Sequence, residues 1–427
     1  MLAAADAGTI MHAWAMATAA VVSASCALVG TLLVVRRMSL VGDAIAHAVL
    51  PGIAVAVLAG GRPGGPAVLA GAVVAALATV WLAHAVHVAV AIDEDAAAGV
   101  VFTTLFAAGV VLVTAFASRI DLDPACVLHG ILELVPFDTV ALGGVAVPRA
   151  FVGGLAVLVL IAAALAATWR LQLFTAFDPA AARVAGVPVA AVTTGLLAAT
   201  ALATVSGFQA VGAILVVAML VAPAAAAELL VRRLHHVAIL ATVLAMAGAV
   251  AGYLAAWRWN TSAAGMIAVV LGVEYAAAAA LAPGDGVVAR LAARLRFAWR
   301  VAREDALARA WREEEPRAGD GAAAVATGRR PGERLARVVL RLDGSLARRG
   351  DRLALTPRGR REAEMVVRSH RLWEAWLGRH AEVPLDHLHP PAEWMEHHLG
   401  AEVRRRIEAE LGWQGSDPHG RGIPPEA

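Results

Sequence analysis

The 427-residue sequence contains no lysine, so all 36 of its basic side chains are arginines. A Walker phosphate-binding loop needs a lysine that reaches the nucleotide phosphates, so this chain is not itself an ATPase of that class. Only two cysteines are present, Cys26 and Cys126, and neither has a second cysteine at CxxC spacing or an adjacent histidine. We therefore expect neither a disulfide framework nor a thiolate metal site.

Charged residues are also scarce, at 16% of the sequence, whereas hydrophobic residues make up 59%. A soluble core of this size does not need so much apolar sequence, and several membrane spans explain it. The composition changes along the chain, from Ala, Val, Leu and Gly up to about residue 283 to dense Arg, Glu and His from residue 290. This change predicts two domains, and the net charge of +2 gives no sign of a nucleic-acid partner.

Nine apolar stretches are long enough to cross a bilayer as helices, each of which needs about 20 residues. We place them at about 13–35, 43–60, 64–90, 96–117, 150–168, 188–206, 210–230, 236–257 and 264–282. Arginines concentrate in alternate loops and after the last stretch, which predicts an external N-terminus and a cytoplasmic C-terminal domain. The first stretch lacks a basic leading region, so we expect a retained span. The segment between the fourth and fifth spans is predicted to be external and partly re-entrant.

Two ionisable residues, Asp43 and His47, stand inside the second predicted span. Their i, i+4 spacing places both on one helix face. Acids and histidines inside a span normally face a water-filled path or a ligand, and this pair suits manganese, zinc or ferrous iron. In the structural alternative, Asp43 caps the helix start and His47 donates to a backbone carbonyl. Spacing alone leaves both interpretations open.

This segment resembles the permeases of zinc, manganese and iron ABC importers, whose Asp-x-x-x-His-x-x-x-Pro-Gly arrangement matches Asp43, His47, Pro51 and Gly52. Four further segments resemble signatures of that family, in the family's order: 94–110, 177–187, 207–230 and 262–267. The resemblance implies a homodimeric permease, embedded in membrane lipid, with Asp43 and His47 on or near its central path. It also implies two partners, an ABC ATPase subunit and an extracytoplasmic metal-binding solute protein.

The segment that begins at Phe177 lies on the cytoplasmic side in this topology, where the corresponding loop of ABC permeases docks the ATPase. By that resemblance, the expected ATPase contacts are Phe177, Asp178, Arg183 and Gly186. Asp178 followed by proline is also typical of an ordinary helix start, which is compatible with docking. Asn260 departs from the family, which often carries an acid there, so ligands outside the second span stay open.

After residue 290 the sequence predicts a basic amphipathic helix, a second helix and a turn-rich hairpin, an order typical of a winged helix. The stretch that follows is helical in period and rich in His and Glu. Within it, His370 and Glu374 share one helix face, and Glu393, Glu396 and His397 share another. Such a cluster suits a divalent metal, but a solvated, salt-bridged helix face has the same pattern.

The segments LTPRGRREAEMVVRSHRLWE and HPPAEWMEHHL resemble the metal-binding and dimerisation region of the iron- and manganese-dependent repressors. That resemblance places six residues at family ligand positions: His370, Glu374, His389, Glu393, Glu396 and His397. Glu393 stands where iron-type members carry cysteine, so the oxygen and nitrogen ligands favour manganese. Asp305 aligns with a further ligand, but Ala308 replaces its acidic partner and the second helix is shortened, which argues against sequence-specific DNA binding.

Together these features predict an all-α polytopic membrane domain of about nine transmembrane helices over residues 1–287, followed by a mainly α soluble domain. The soluble part divides into a degenerate winged-helix-like region (288–358), a helical metal-binding and dimerisation region (359–415) and a disordered tail (416–427). The predicted function is that of a plasma-membrane permease for manganese, zinc or iron with a fused cytoplasmic metal sensor.

Two other functions compete with this prediction. One is a membrane-tethered, metal-responsive transcription regulator, and the other is a metal transporter driven by an ion gradient. Nine spans exceed what anchoring a regulator needs, and the docking-like loop argues against the gradient-driven transporter.

Overall fold

A computed structural model describes residues 2–61, 65–116, 132–142, 144–284, 286–315, 332–349, 352–381, 384, 387–412 and 415–425. The chain forms two compact units, Met1–Ala289 and Arg290–Ala427. The helices of the first unit are α1 (Leu2–Val35), α2 (Ser39–Ala48), α3 (Leu50–Leu58), α4 (Pro66–Val90), α5 (Glu94–Ala115), α6 (Arg149–Phe177), α7 (Pro179–Val184), α8 (Val189–Val211), α9 (Ala213–Leu230), α10 (Leu234–Trp259) and α11 (Ala263–Leu281).

Eight of these helices are long and apolar enough to cross a membrane within the described residues: α1, α4, α5, α6, α8, α9, α10 and α11. The sequence predicts nine such helices, and the difference lies in the second predicted span. There the chain forms two short helices, α2 and α3, separated by Val49. Pro51 lies at the start of α3, where it has no N–H to donate to the carbonyl four residues earlier, so the helix is interrupted.

The interrupted pair α2–α3 packs tightly against neighbouring helices through glycine. A Cβ on Gly52 would collide with the carbonyl oxygen of Gly71 on α4, and a Cβ on Gly109 of α5 would lie 2.8 Å from Cδ of Pro51. A broken helix at membrane depth is tolerated where protein rather than lipid surrounds it. We therefore expect α2 and α3 to cross the membrane together as one interrupted span.

Helix α1 forms the centre of the first unit and packs against α6, α8, α9 and α10. Its buried residues include Cys26, which is fully enclosed by the apolar core. A Cβ on Gly30 would collide with the carbonyl oxygen of Leu220, so glycine lets α1 and α9 approach backbone to backbone. A small residue at such a crossing lets the two helix backbones touch directly, without side chains between them.

Helix α6 is longer than the predicted fifth span and contains 29 residues. A helix of this length measures about 44 Å, well beyond the hydrocarbon thickness of about 30 Å. Arg170, which the sequence predicts after the span, therefore lies within the helix. The apolar stretch stops near residue 168, but the helix continues, and Gln172 and Thr175 in its last turns are buried and contact the guanidinium of Arg36.

The predicted external segment is described from Leu132 onward, and residues 117–131 lie outside the described part. It contains a 3₁₀ helix (Leu132–Phe137) and an antiparallel hairpin of β1 (Thr139–Leu142) and β2 (Val145–Pro148). Oε1 of Glu133 accepts a hydrogen bond from the backbone N–H of Ala263 at 3.3 Å. This contact attaches the segment to the first turn of α11.

The elements of the second unit are α12 (Val287–Glu314), α13 (Glu333–Leu342), β3 (Leu346–Arg349), β4 (Arg352–Leu355), α14 (Pro357–His380), α15 (His389–Met395) and α16 (Ala401–Leu411). Strands β3 and β4 pair antiparallel, in the hairpin position that the sequence predicts. Apolar residues of α12, α13, the hairpin and α14 share one core, which includes Leu307, Leu340 and Leu346. Helix, helix and hairpin therefore pack together as in a winged helix.

The last segment, for which the sequence predicts disorder from residue 416, is packed in its described part. Asp417 and Ile423 are both buried. The guanidinium of Arg371 donates to the carbonyl of Gly422 at 2.5 Å, and that of Arg368 donates to the carbonyl of Pro424. Both arginines are buried on α14 and need acceptors, which the carbonyls of this segment supply. The Gly- and Pro-rich composition of this segment predicts disorder and gives no sign that its carbonyls bind buried arginines.

Candidate functional site

Asp43 and His47 lie on α2, one helical turn apart and on the same face of its backbone. Their side chains lie outside the described part of the structure, so their place on a transport path stays a prediction. Helix α2 itself packs against α4, α5, α8 and α9. Two ionisable residues on such an enclosed helix fit a path through the bundle better than a lipid-facing surface.

A further ionisable residue within a span was not identified from the sequence. Glu274 lies near the middle of α11, where a Cβ on Gly248 of α10 would be 2.9 Å from its Oε2. The missing side chain at Gly248 therefore leaves the space that the carboxylate occupies. A single acid within the apolar run LGVEYAAAAAL was the available signal.

Helix α7, between α6 and α8, lies within the segment predicted to dock an ATPase. Oδ1 of Asp178 accepts a hydrogen bond from the backbone N–H of Ala181 at 2.8 Å and caps the helix start. Phe177, the last residue of α6, is 67% exposed and Val184, the last residue of α7, is 92% exposed, so an exposed apolar side chain lies on either side of α7. Arg183 is exposed between them. Exposed apolar groups on a short, capped helix suit a protein partner.

The helix ends after Ala185, where Gly186 has φ = +79°. Only glycine adopts this backbone conformation without steric cost. Of the four predicted contacts, Asp178 and Gly186 therefore shape the short helix, while Phe177 and Arg183 have exposed side chains.

Arg36 ties together the two helices that flank α7. Its Nη2 lies 2.6 Å from Oε1 of Gln172 and 2.7 Å from Oγ1 of Thr175, both on α6. Its Nη1 donates to Oγ1 of Thr193 on α8 at 3.2 Å. In the sequence, Arg36 indicates topology alone. In the structure it also connects the surroundings of α7 to α2, which begins three residues later at Ser39.

The second unit holds a cluster of metal-ligating side chains from α12 and from the turn after α15. Asp305, Glu396 and His397 each offer one ligand atom, and these atoms all lie within 4.8 Å of one another. Nε2 of His397 lies 3.2 Å from Oδ1 of Asp305 and 3.5 Å from Oε1 of Glu396. These two carboxylates and one imidazole supply oxygen and nitrogen donors that suit a divalent transition metal.

Glu396 also faces a second histidine. Its Oε2 lies 2.6 Å from Nδ1 of His370 on α14, and Nε2 of His370 lies 3.1 Å from Oε1 of Glu374. All three side chains are buried. The two carboxylates contact different nitrogens of the His370 ring, so they do not share one binding site at this histidine. His370 instead links Glu374 to the cluster. Glu396 thus lies between His370 and His397, with one oxygen toward each.

The helices that carry these residues begin at clear sequence signals. Helix α14 starts at Thr356-Pro357, where Oγ1 of Thr356 accepts from the backbone N–H of Gly359 at 3.1 Å. Helix α15 starts at His389 and has Pro390 in its first turn. Proline fits the first turn because its fixed φ is helical and no N–H is needed there.

Burial and charge act in opposite directions on the two histidines. Burial lowers the pKa of His397, but hydrogen bonds to Asp305 and Glu304 and the charge of Glu396 raise it to about 9. Burial likewise lowers the pKa of His370, and its contacts with Glu374 and Glu396 raise it above the ordinary value. A divalent ion that binds His397 must displace its proton, so protons compete with the metal as pH falls.

Sequence reasoning missed Glu304, whose Oε2 lies 2.7 Å from Nδ1 of His397. Its position next to Asp305 was the available signal. It was missed because the ligand pattern was sought at spacings of three and four residues, and that pattern includes Asp305 but not its neighbour. A carboxylate on the second nitrogen of a ligating imidazole fixes the orientation of the ring. Ala308, where the repressor pattern has an acid, is buried in an apolar cluster with Val366 and Val367.

Two of the six predicted ligands are not among the converging donor atoms of the described residues. Glu393 lies on α15, three residues before Glu396, and is not among the residues whose donor atoms converge. His389 is the first residue of α15, and its side chain lies outside the described part of the structure. The structure therefore brings together His370, Glu374, Glu396 and His397 of the six predicted ligands, with Asp305 added.

Comparisons with known proteins match the two units separately. The family model described as the ABC 3 transport family matches residues 9–282, and the one described as the iron dependent repressor, metal binding and dimerisation domain, matches residues 356–425. The chain is 39% identical over 280 residues to a manganese transport system membrane protein of Bacillus subtilis, covering 65% of this chain and 95% of that protein.

Two further matches cover the same unit. The chain is 33% identical over 272 residues to a zinc transport system membrane protein of Treponema pallidum, covering 64% of this chain and 74% of that protein. A solved structure of PsaBC from Streptococcus pneumoniae in complex with Fab aligns with a TM-score of 0.57 and 27% identity, covering 67% of this chain and 98% of that chain.

Replacing Glu396 by glutamine should weaken manganese binding at the cluster by about 100-fold or more, because even changes outside the ligand set cost about 10- to 100-fold. The amide keeps the size of the side chain but removes the charge that faces both histidines. Titration calorimetry of the full-length chain in detergent measures the effect. Glu402→Gln is the matched control, because Glu402 is an exposed residue paired with Arg405 and Arg406. Unchanged affinity in Glu396→Gln would contradict the assignment.

Proposed function

Because the chain belongs to the ABC 3 transport family, we propose that it is the membrane-spanning permease of an importer for manganese, zinc or iron. The fused second unit acts as a metal sensor that adjusts transport. The observation that carries the proposal is the position of Asp43 and His47 on the interrupted helix α2, enclosed by four other helices. Two of the similar proteins belong to manganese and zinc transport systems, which supports the choice of divalent metals.

ATP hydrolysis belongs to a separate subunit in this proposal. The chain has no lysine with which to build a Walker loop, so the energy must come from another protein. Helix α7 is the docking element for that ATPase, with Phe177 and Val184 as its apolar contacts. Arg36 then connects the docking region to α2, so that movement at α7 reaches the helix that carries Asp43 and His47.

The remaining partners follow from the proposed topology. The arginines of alternate loops support a cytoplasmic location for α7 and the second unit, and an external location for the hairpin β1–β2. An extracytoplasmic solute protein delivers the metal to that external face. A second copy of the chain completes the central path, because a path between identical halves places Asp43 and His47 of both copies near one axis.

The metal cluster supports the sensing role. Manganese is the favoured ion, because the described donors are carboxylate oxygens and imidazole nitrogens without a thiolate. Cytoplasmic metal that binds Asp305, Glu396 and His397 would hold α12 against the turn after α15. Since Asp305 belongs to the helix that begins at Val287, ion binding bears on the segment that follows the last span.

Replacing Val184 by arginine should abolish ATPase docking, because a charged side chain would have to be buried in an apolar contact. We expect the amount of ATPase that copurifies with the permease to fall by about tenfold or more, the effect of losing a strong interface contact. Val145→Arg is the matched control, because Val145 is exposed on the hairpin, on the opposite side in the proposed topology. Equal copurification of both variants would refute docking at α7.

Replacing Asp43 by asparagine or His47 by alanine should abolish manganese uptake by proteoliposomes that contain the permease and its ATPase, because each change removes a metal ligand from the path. Asp138→Asn serves as the control, since Asp138 forms an exposed ion pair with Arg149 in the external segment. The amount of folded permease, measured by size-exclusion chromatography, should be the same in all variants. Uptake at the wild-type rate in both path variants would remove the basis of the proposed function.

A further inference from the structure

The first half of α12 carries an apolar stripe that is exposed within the described residues. Val287, Val288, Leu291 and Leu295 are each more than half exposed. At 100° per residue they lie within one third of the helix circumference. The stripe continues into the second half of the helix, where Ala302 and Ala306 are buried in the core. The same face of one helix is therefore covered in its second half and exposed in its first.

Positive charge covers the rest of this helix surface. Arg290 and Arg294 border the exposed apolar residues on one side, Arg296 lies beyond the other edge, and Arg300 lies on the opposite face. The sequence has no acidic residue from Val287 to Arg303. An apolar stripe on a helix whose remaining surface is rich in arginine is the pattern of a helix that lies in the plane of a membrane surface.

The preceding turn brings this helix to the end of a span. Helix α11 ends at Leu281, and five residues separate it from Val287, where α12 begins. Gly284 has φ = +86°, and a Cβ on Gly286 would lie 2.5 Å from the carbonyl oxygen of Ala282. The tight turn separates the two helices, so α12 need not continue along the direction of the span. Because the last span ends just before it, we expect the first turns of α12 to begin near the membrane surface.

We propose that residues 287–300 of α12 lie on the cytoplasmic membrane surface and bind anionic phospholipid headgroups, with the apolar stripe facing the acyl chains. Charge complementarity favours this partner, because four arginines without an acid match a negatively charged leaflet. The proposal goes beyond the transport function and rests on the proposed topology, in which α12 follows the last span on the cytoplasmic side. Asp305 lies ten residues after Leu295 on the same helix, so lipid and metal act on one element.

The test uses the full-length chain in nanodiscs of phosphatidylcholine alone or mixed with phosphatidylglycerol. Spin labels are attached to Leu291→Cys, Leu295→Cys or Arg296→Cys in a background that carries Cys26→Ala and Cys126→Ala. Accessibility to a water-soluble nickel chelate and to oxygen reports whether each label lies in lipid or water. In anionic discs we expect nickel access at positions 291 and 295 to fall about fivefold relative to neutral discs, while position 296 stays accessible.

Glutamine at Arg290, Arg294, Arg296 and Arg300 should abolish this dependence on lipid charge in a chain labelled at Leu291→Cys. Each arginine contributes about fivefold to surface binding, equivalent to about 1 kcal/mol. Manganese binding should persist in this variant, because the changes precede the metal cluster, and it shows that the second unit is folded.

Two outcomes would overturn the proposal. One is equal nickel access at positions 291 and 296 in anionic discs. The other is protection at position 291 that does not depend on lipid charge and is accompanied by dipolar broadening between labels, since that result assigns the stripe to a second copy of the chain. Neither outcome bears on Asp43 or α7, so a failure here leaves the proposed transport function standing.

Discussion

A charge removed from water needs a partner, and this requirement fixes the position of functional segments in both units. In the first unit, the guanidinium of Arg36 reaches Gln172, Thr175 and Thr193 and thereby connects α6 and α8 to the start of α2. In the second unit, the buried carboxylate of Glu396 faces two histidines. The contacts that satisfy these charges also define the surroundings of the docking helix and the metal cluster.

Much of the fold can be predicted from the sequence because a membrane-spanning helix needs about 20 consecutive apolar residues. Spans α4, α5, α8, α9, α10 and α11 lie where these runs predict them. The second predicted span is two short helices in the structure. Hydropathy does not reveal this, because the apolar run is continuous and Pro51 interrupts the helix without changing it. Helix α6 differs in the opposite way, since helical structure continues past its apolar stretch.

Some site residues can be identified from their spacing in the sequence, whereas others are recognised only from the packing of the folded chain. His370 with Glu374, and Glu396 with His397, could be identified because helical spacing and a family resemblance point to the same residues. Glu304 could not, because its role depends on how α12 approaches the turn after α15. The burial of the last segment was likewise hidden, because the arginines that bind its carbonyls lie about 50 residues earlier in the chain.

Fusion of a sensor to a permease means that one chain both imports a metal and binds it in the cytoplasm as a signal. In our proposal, the metal that enters through the path near Asp43 and His47 later occupies the cluster at Asp305, Glu396 and His397. Coupling between two such sites requires that binding at one changes the other by a finite free energy, typically about 1 to 3 kcal/mol. Helix α12 is the physical candidate for this coupling, because it begins beside the last span and carries Asp305.

The most direct test of this account is the rate of ATP-driven manganese transport in proteoliposomes, measured while manganese is varied on the side of the second unit. The account predicts that the wild-type rate changes by about fivefold or more as the cluster fills, the effect of a coupling free energy of about 1 kcal/mol. The rate of the Glu396→Gln variant should not respond over the same concentrations. An equal response of both chains would contradict regulation through this cluster.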